Sequence, residues 1–171
     1  MYPRWRYYPV WRKPEPWVEE VLGVFATAKD LINSEERHLE SPAVQAHLRP
    51  GLEAIGFRIE GAGKLTRPVL FGDEGSVVKS FNVDGFREAD GLALEVEAGG
   101  AVYNNRILLD LIKMCLAVDV KSGIIAVPQQ YTTPKQTWQP PYTESLKLFD
   151  SIYANPERFR IPLDGLLVVG Y

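Results

Sequence analysis

The chain has 171 residues, a hydrophobic fraction of 46 %, a charged fraction of 24 % and a formal net charge of −3, with a pI near 5.5. These values fit one domain over residues 1–171 with a sizeable core, and they argue against indiscriminate nucleic-acid binding. Cys115 is the one cysteine, so no internal disulfide can form; no apolar run approaches the ~18 residues of a membrane span. A cytoplasmic, reducing location is therefore expected.

The opening MYPRWRYYPVWRK carries Arg4, Arg6, Arg12 and Lys13, interleaved with Trp5, Tyr7, Tyr8 and Trp11 and without an acid. Such an arm (residues 1–16) suits a nucleic-acid backbone with unstacked bases. It suits packing on its own domain or on a second subunit somewhat better, because exposed aromatic surface is costly.

Residues 17–32 place Val18, Val21, Leu22, Phe25, Ala28 and Ile32 at helical spacing, with Glu19 and Glu20 in the favourable first turn. Ser41-Pro42 reads as a cap and first turn of a second helix through Ile55, with Pro50-Gly51 expected to kink or split it. FRIE (57–60) predicts a short strand, residues 61–75 an inserted hairpin or loop, 76–86 a strand, and 91–97 another. A helix is expected over about 101–118, an interior strand at GIIAVP (123–128), a loop over 129–141, a helix over 143–153 and a last strand, GLLVVGY. Strand–helix–strand between 91 and 128 implies a parallel pair, whereas 80–97 reads as an antiparallel hairpin. The fold class is α/β: a mixed central sheet with helices on both faces, followed by a C-terminal helix and strand in 129–171.

Within VDGFREADGLALEVEAGG (83–100), five carboxylates fall inside a strand-like run. With the turn at Glu88-Ala89-Asp90-Gly91, facing residue numbers sum to about 179, so Asp84 stands opposite Glu95. Glu97 then shares the face of Glu95. Facing Cβ atoms lie ~4.5–5.5 Å apart, close enough for two carboxylates to touch one cation. Without a metal, one or more of the three should hold its proton. A solvated sheet face with a different register is the competing reading.

VDG followed by ALEVE, an amphipathic helix and an apolar strand resembles the PD-(D/E)XK nuclease superfamily, the restriction-endonuclease-like fold. Its α-β-β-β-α-β core order would cover residues 42–128, about half of the chain. The resemblance implies Asp84 as first acid, Glu95 as second and Glu97 at the third position, where the common pattern has Lys. Some type II restriction enzymes are similar in using Glu-x-Glu. Val83 precedes Asp84 where the pattern has Pro. An acid on the first helix, frequent in the superfamily, would be Glu40 or Glu53. The resemblance implies a Mg²⁺- or Mn²⁺-dependent endonuclease hydrolysing DNA phosphodiesters, for which a homodimer would be the form that cuts both strands. Asp84 and Glu95 would hold the metal, with the Val96 carbonyl as third ligand, and Glu97 would orient or deprotonate water or hold a second ion. Lys79, five residues before Asp84, would need a bulge to reach the site. A catalytically inactive relative that binds nucleic acid or protein is the alternative, and a small α/β interaction protein with an acidic surface a third.

The remaining candidates are weaker. His38 and His47 lack metal-ligand spacing and read as surface residues. Asn104, Asn105 and Arg106 open a helix, where they could approach a phosphate or simply cap it. Arg106, Asp110 and Lys113 read as an ion-pair ladder, and Gln129 and Gln130 end the apolar strand at the carboxyl edge of the sheet. Phosphate-loop, GxSxG and dinucleotide fingerprints are absent from the sequence.

Overall fold

The computed structural model describes residues 2–61, 63–98, 105–132 and 138–171. In chain order the elements are β1 (Arg4–Tyr8), α1 (Pro16–Thr27), α2 (Lys29–Ile32), α3 (Ser41–Ala54), β2 (Arg58–Ile59), β3 (Thr66–Phe71), β4 (Val77–Asn82), β5 (Gly85–Arg87), β6 (Leu92–Val96), α4 (Arg106–Leu116), β7 (Ser122–Val127), β8 (Tyr131–Thr132), β9 (Trp138–Gln139), α5 (Pro141–Tyr153) and β10 (Gly165–Gly170). None of the described helices is long and apolar enough to cross a membrane.

A six-stranded mixed sheet, ordered β1-β10-β7-β6-β5-β2, forms the centre. β6, β7 and β10 run parallel, and β1, β5 and β2 join antiparallel to their neighbours. The strand period of two sends alternate residues to opposite faces. Leu92, Leu94 and Val96 enter a core with α1, α2 and α3; Ala93, Ile125, Val127, Leu166 and Val168 enter another with α4 and α5. All residues of β6, β7 and β10 are buried, as expected of parallel strands covered on both sides.

Four expectations need correction. The first helical run stops at Ala28 and resumes as α2, so it is two helices. Ser41 lies inside α3 with Glu40 at the cap, and Pro50 does not split the helix. Pro50 and Ala46 both lie on its exposed side, so the carbonyl robbed of its donor meets water. Meanwhile Gly51 lets α3 approach Val24 of α1, where a Cβ would come within 2.7 Å of Val24 Cγ1. The strand expected over 76–86 is broken at Val83-Asp84: β4 pairs only with β3, in a separate two-stranded sheet, and β5 begins at Gly85. Finally, the arm contains a strand. β1 pairs with β10 along its whole length, burying Tyr7 and Tyr8. The start of the expected helix at 101–104 and the 133–137 portion of the 129–141 loop lie outside the described residues, and β8 pairs with β9 across that portion.

Candidate functional site

The β5–β6 register is Gly85↔Leu94, Phe86↔Ala93 and Arg87↔Leu92, which places Asp84 across from Glu95. Gly91, at φ +65°, supplies the left-handed turn residue that fixes this register. Asp84 donates its backbone N–H to the Leu94 carbonyl (3.1 Å), and its carboxylate accepts from the Val96 N–H (2.7 Å). Asp84, Glu95 and Glu97 therefore share the face covered by α4, and all three line one cavity of about 560 Å³.

The opposite wall comes from α4. Lys113 Nζ lies 2.7 Å from Asp110 Oδ1 and 3.7 Å from Glu95 Oε1, and Arg106 lies 3.6 Å from Glu97 Oε2. The ion-pair ladder expected of Arg106, Asp110 and Lys113 is kept between Lys113 and Asp110, while Arg106 turns to Glu97; Asp110 is 2 % exposed. Spacing alone put the three on one helical stripe, and the stripe turns inward because the β6–α4–β7 crossover lays α4 over the face that carries Glu95. A polar stripe on an otherwise broadly apolar helix was the signal available in the sequence. Glu60 and Gln45, also absent from the sequence-based candidates, complete the wall beside Asp84.

Burial dominates the electrostatics. Glu95 is 5 % exposed and its pKa is pushed up to about 10 by desolvation, then by Asp110 and Asp84, with Lys113 offsetting part. Glu97 is pushed up to about 7 by desolvation and Asp110, against Arg106. Desolvation also raises Asp84, while the Val96 N–H pulls it back. For Lys113, burial disfavours the charge, yet the bond to Asp110 and the charge of Glu95 prevail and its pKa is raised. Glu95 Oε1, Glu97 Oε2 and Asp110 Oδ2 are buried without a hydrogen-bond partner. Buried oxygens in that condition are costly and demand a proton or a cation.

Chemically, the donor set is all hard oxygen, which fits Mg²⁺ or Mn²⁺. Among the described residues no three His, Cys, Asp or Glu side chains already form a group able to hold a metal ion. Lys113 holds Glu95, and the Val96 N–H holds Asp84, so an ion entering here competes with those two contacts. The Val96 backbone lines the cavity.

Other sequence-based candidates lie elsewhere. Glu40 and Glu53 are exposed, Glu53 pairing with Arg49 at 3.3 Å; α3 presents Gln45 to the site instead of an acid. Lys79 sits over the Phe81 ring on the separate hairpin, and His38 and His47 are exposed. Asn105 caps α4 in the left-handed region (φ +55°) with no side-chain capping bond and is exposed; Asn104 lies outside the described residues. The Gln129 amide bonds the Gly170 carbonyl, and the Gln130 amide reaches Glu35 at 3.4 Å. The basic arm is divided. Arg4 pairs with Gly170, at the same end of the sheet as the carboxylates, and stacks over Tyr142. Arg6 is committed to Asp150 at 2.7 Å, while Arg12 bonds the Asp164 carbonyl beyond the other end, and Lys13 is exposed there. The chain matches no protein-family model and no curated protein.

Proposed function

We propose that the protein is a Mg²⁺- or Mn²⁺-dependent endonuclease that hydrolyses DNA phosphodiester bonds on a restriction-endonuclease-like core. One observation carries this reading: Asp84 and Glu95 face each other in an open cavity, with buried carboxylate oxygens that lack a hydrogen bond and a lysine on the facing helix. The order α3-β2-β5-β6-α4-β7, with the β3–β4 hairpin as an insertion, supports the core assignment.

Asp84 and Glu95 would hold the cation, which when bound supplies Lewis acidity to a phosphoryl oxygen and acidifies a water. Lys113 supplies from α4 the positive charge that Glu97 cannot, at the end of the side chain nearest Glu95. Asp110 positions that ammonium group. Glu97, with a pKa near 7, is matched to taking a proton from an attacking water onto a carboxylate oxygen at neutral pH. Arg106 beside it favours the ionised form of Glu97 that accepts the proton. On the arm, Arg4 is the cation placed to meet a strand at the carboxylate end; Arg6 is occupied by Asp150, and exposed Asn105 stands at the start of α4.

A second reading, a non-catalytic nuclease-like fold that binds nucleic acid or protein, is favoured by the Lys113–Glu95 contact and the lack of a ready-made ligand group among the described residues. Nicking of supercoiled plasmid with Mg²⁺ or Mn²⁺, against a chelator control, separates the two. Metal-dependent nicking that disappears in Asp84→Ala supports the enzyme; plasmid left intact by wild type in both metals refutes it.

A further inference from the structure

The other end of the sheet carries a cavity of about 370 Å³, formed by the turn after β1 and the loop before β10. Trp11 and Phe159 in its lining are 67 % and 45 % exposed. Arg12 is fixed across it by a 3.0 Å bond to the Asp164 carbonyl, and Arg160 is exposed with no ion-pair partner among the described residues. Tyr153 forms part of the wall, stacked on Tyr8 at 4.8 Å, and its hydroxyl is buried without a hydrogen-bond partner. Residues 9–13 and 156–164 hold four cations (Arg12, Lys13, Arg158, Arg160) against two acids (Glu157, Asp164), in a chain whose net charge is −3.

We infer that this cavity binds an unpaired nucleotide of a nucleic-acid strand. Exposed indole and phenyl groups ask for a planar partner, and two arginines ask for an anion. A nucleotide supplies both: its base stacks on Trp11 or Phe159, and its phosphate meets Arg12 and Arg160. A base inside a duplex is already stacked on both faces, so an unpaired one is required. Lys13 and Arg158 extend the positive charge past what one phosphate uses, which favours a strand over a mononucleotide. The inference does not rest on the nuclease reading, since Tyr8, next to this cavity, pairs with Leu166 at the far end of the strands from Glu95 and Glu97.

The test is fluorescence anisotropy of a labelled single-stranded oligothymidylate with the full chain in chelator, where no cleavage intervenes. Binding is expected, with Trp11→Ala and Arg160→Ala each weakening it about 5- to 100-fold and Trp11→Phe restoring most of it. Unlabelled single strand should compete at least ~10-fold better than duplex, thymidine monophosphate or inorganic polyphosphate. Equal competition by polyphosphate overturns stacking, and equal competition by the mononucleotide overturns the strand. Undiminished binding by Trp11→Ala, whose exposed side chain is not needed for folding, overturns the site. Because the carboxylate cavity is idle in chelator, loss of this binding and loss of plasmid nicking are separate outcomes.

Discussion

Two antiparallel hairpins follow each other in the chain and have opposite characters. β3–β4 is exposed or half-buried throughout, and its pairing shifts register twice, between Pro68 and Leu70 and between Leu70 and Phe71. β5–β6 is buried at every residue and unbroken in register. A charge such as Lys79 or Glu74 on the first hairpin is solvated at no expense. A charge on the second must be answered by a neighbour, so the carboxylates that line it demand a reason that Lys79 or Glu74 does not. Burial, more than the presence of acids, is what separates a site from a surface here.

The strongest way to break the contrast is to remove the buried acids. Asp84→Ala and Glu95→Ala should each reduce metal-dependent nicking on the order of 10³-fold, the loss of several kcal/mol of charge stabilisation. Retained nicking in either variant would sever the carboxylates from the reaction.

Next comes pH. The pKa values of Glu95 (about 10) and Glu97 (about 7) lie above the ordinary 4.5, so the folded state keeps protons that the unfolded chain has released. Metal-free stability should therefore be greatest near pH 5 and fall as pH rises, through about 7 for Glu97 and on toward 10 for Glu95. Glu95→Gln removes the larger share: it should melt roughly 3–10 °C above wild type at pH 8, with a much smaller gap at pH 5. Melting curves that are parallel across this range would mean that the cluster is solvated. Mg²⁺ or Mn²⁺ should raise the wild-type midpoint at pH 8, and Glu95→Gln should blunt that rise.

Smaller still is the anchor between the hairpins. Arg67 of β3 bonds Glu88 and Asp119, both at 3.2 Å, and lies 4.2 Å from the Phe86 ring centre. Arg67→Ala should cost about 1–2 kcal/mol by thermal melting and speed amide exchange in β3–β4 while leaving β6 protected. The least effect belongs to Lys79→Ala on the exposed β4, within ~0.5 kcal/mol. A larger loss there would show that the hairpin is covered in solution.

The hairpin register was legible because local signals fix it: an Asp90-Gly91 turn and an alternating run leave one pairing that buries Leu92, Leu94 and Val96. The parallel pair on either side of α4 was legible for the same reason. Residues that depend on distant chain were hidden. Nothing near Arg4–Tyr8 announces a strand, since its partner β10 lies at the other end of the sequence. Asp110 and Lys113 read as part of an ion-pair ladder, and their place beside Glu95 shows only once α4 is laid over it. Glu60 looked like the end of a short strand, and only the detour through β3 and β4 returns the chain to Asp84 at its side, where the Glu60 N–H meets the Asp84 carbonyl at 2.7 Å.

The pairing of Arg4 with Gly170 sets an order of assembly. The Asp84–Glu95 pair closes within a short loop and needs little chain entropy, so it forms with the local hairpin. β1 has no partner until β10 is in place, and Tyr8 and Arg6 meet Asp150 across 142 and 144 positions of sequence. These long closures are expected to follow the main barrier, which would make the first strand the last to dock and the first to leave. Weakening the Tyr8–Asp150 bond should thus quicken unfolding and leave refolding almost untouched. A chain whose first strand has slipped away would keep its carboxylates together while exposing the β10 edge, a ready template for another molecule's strand.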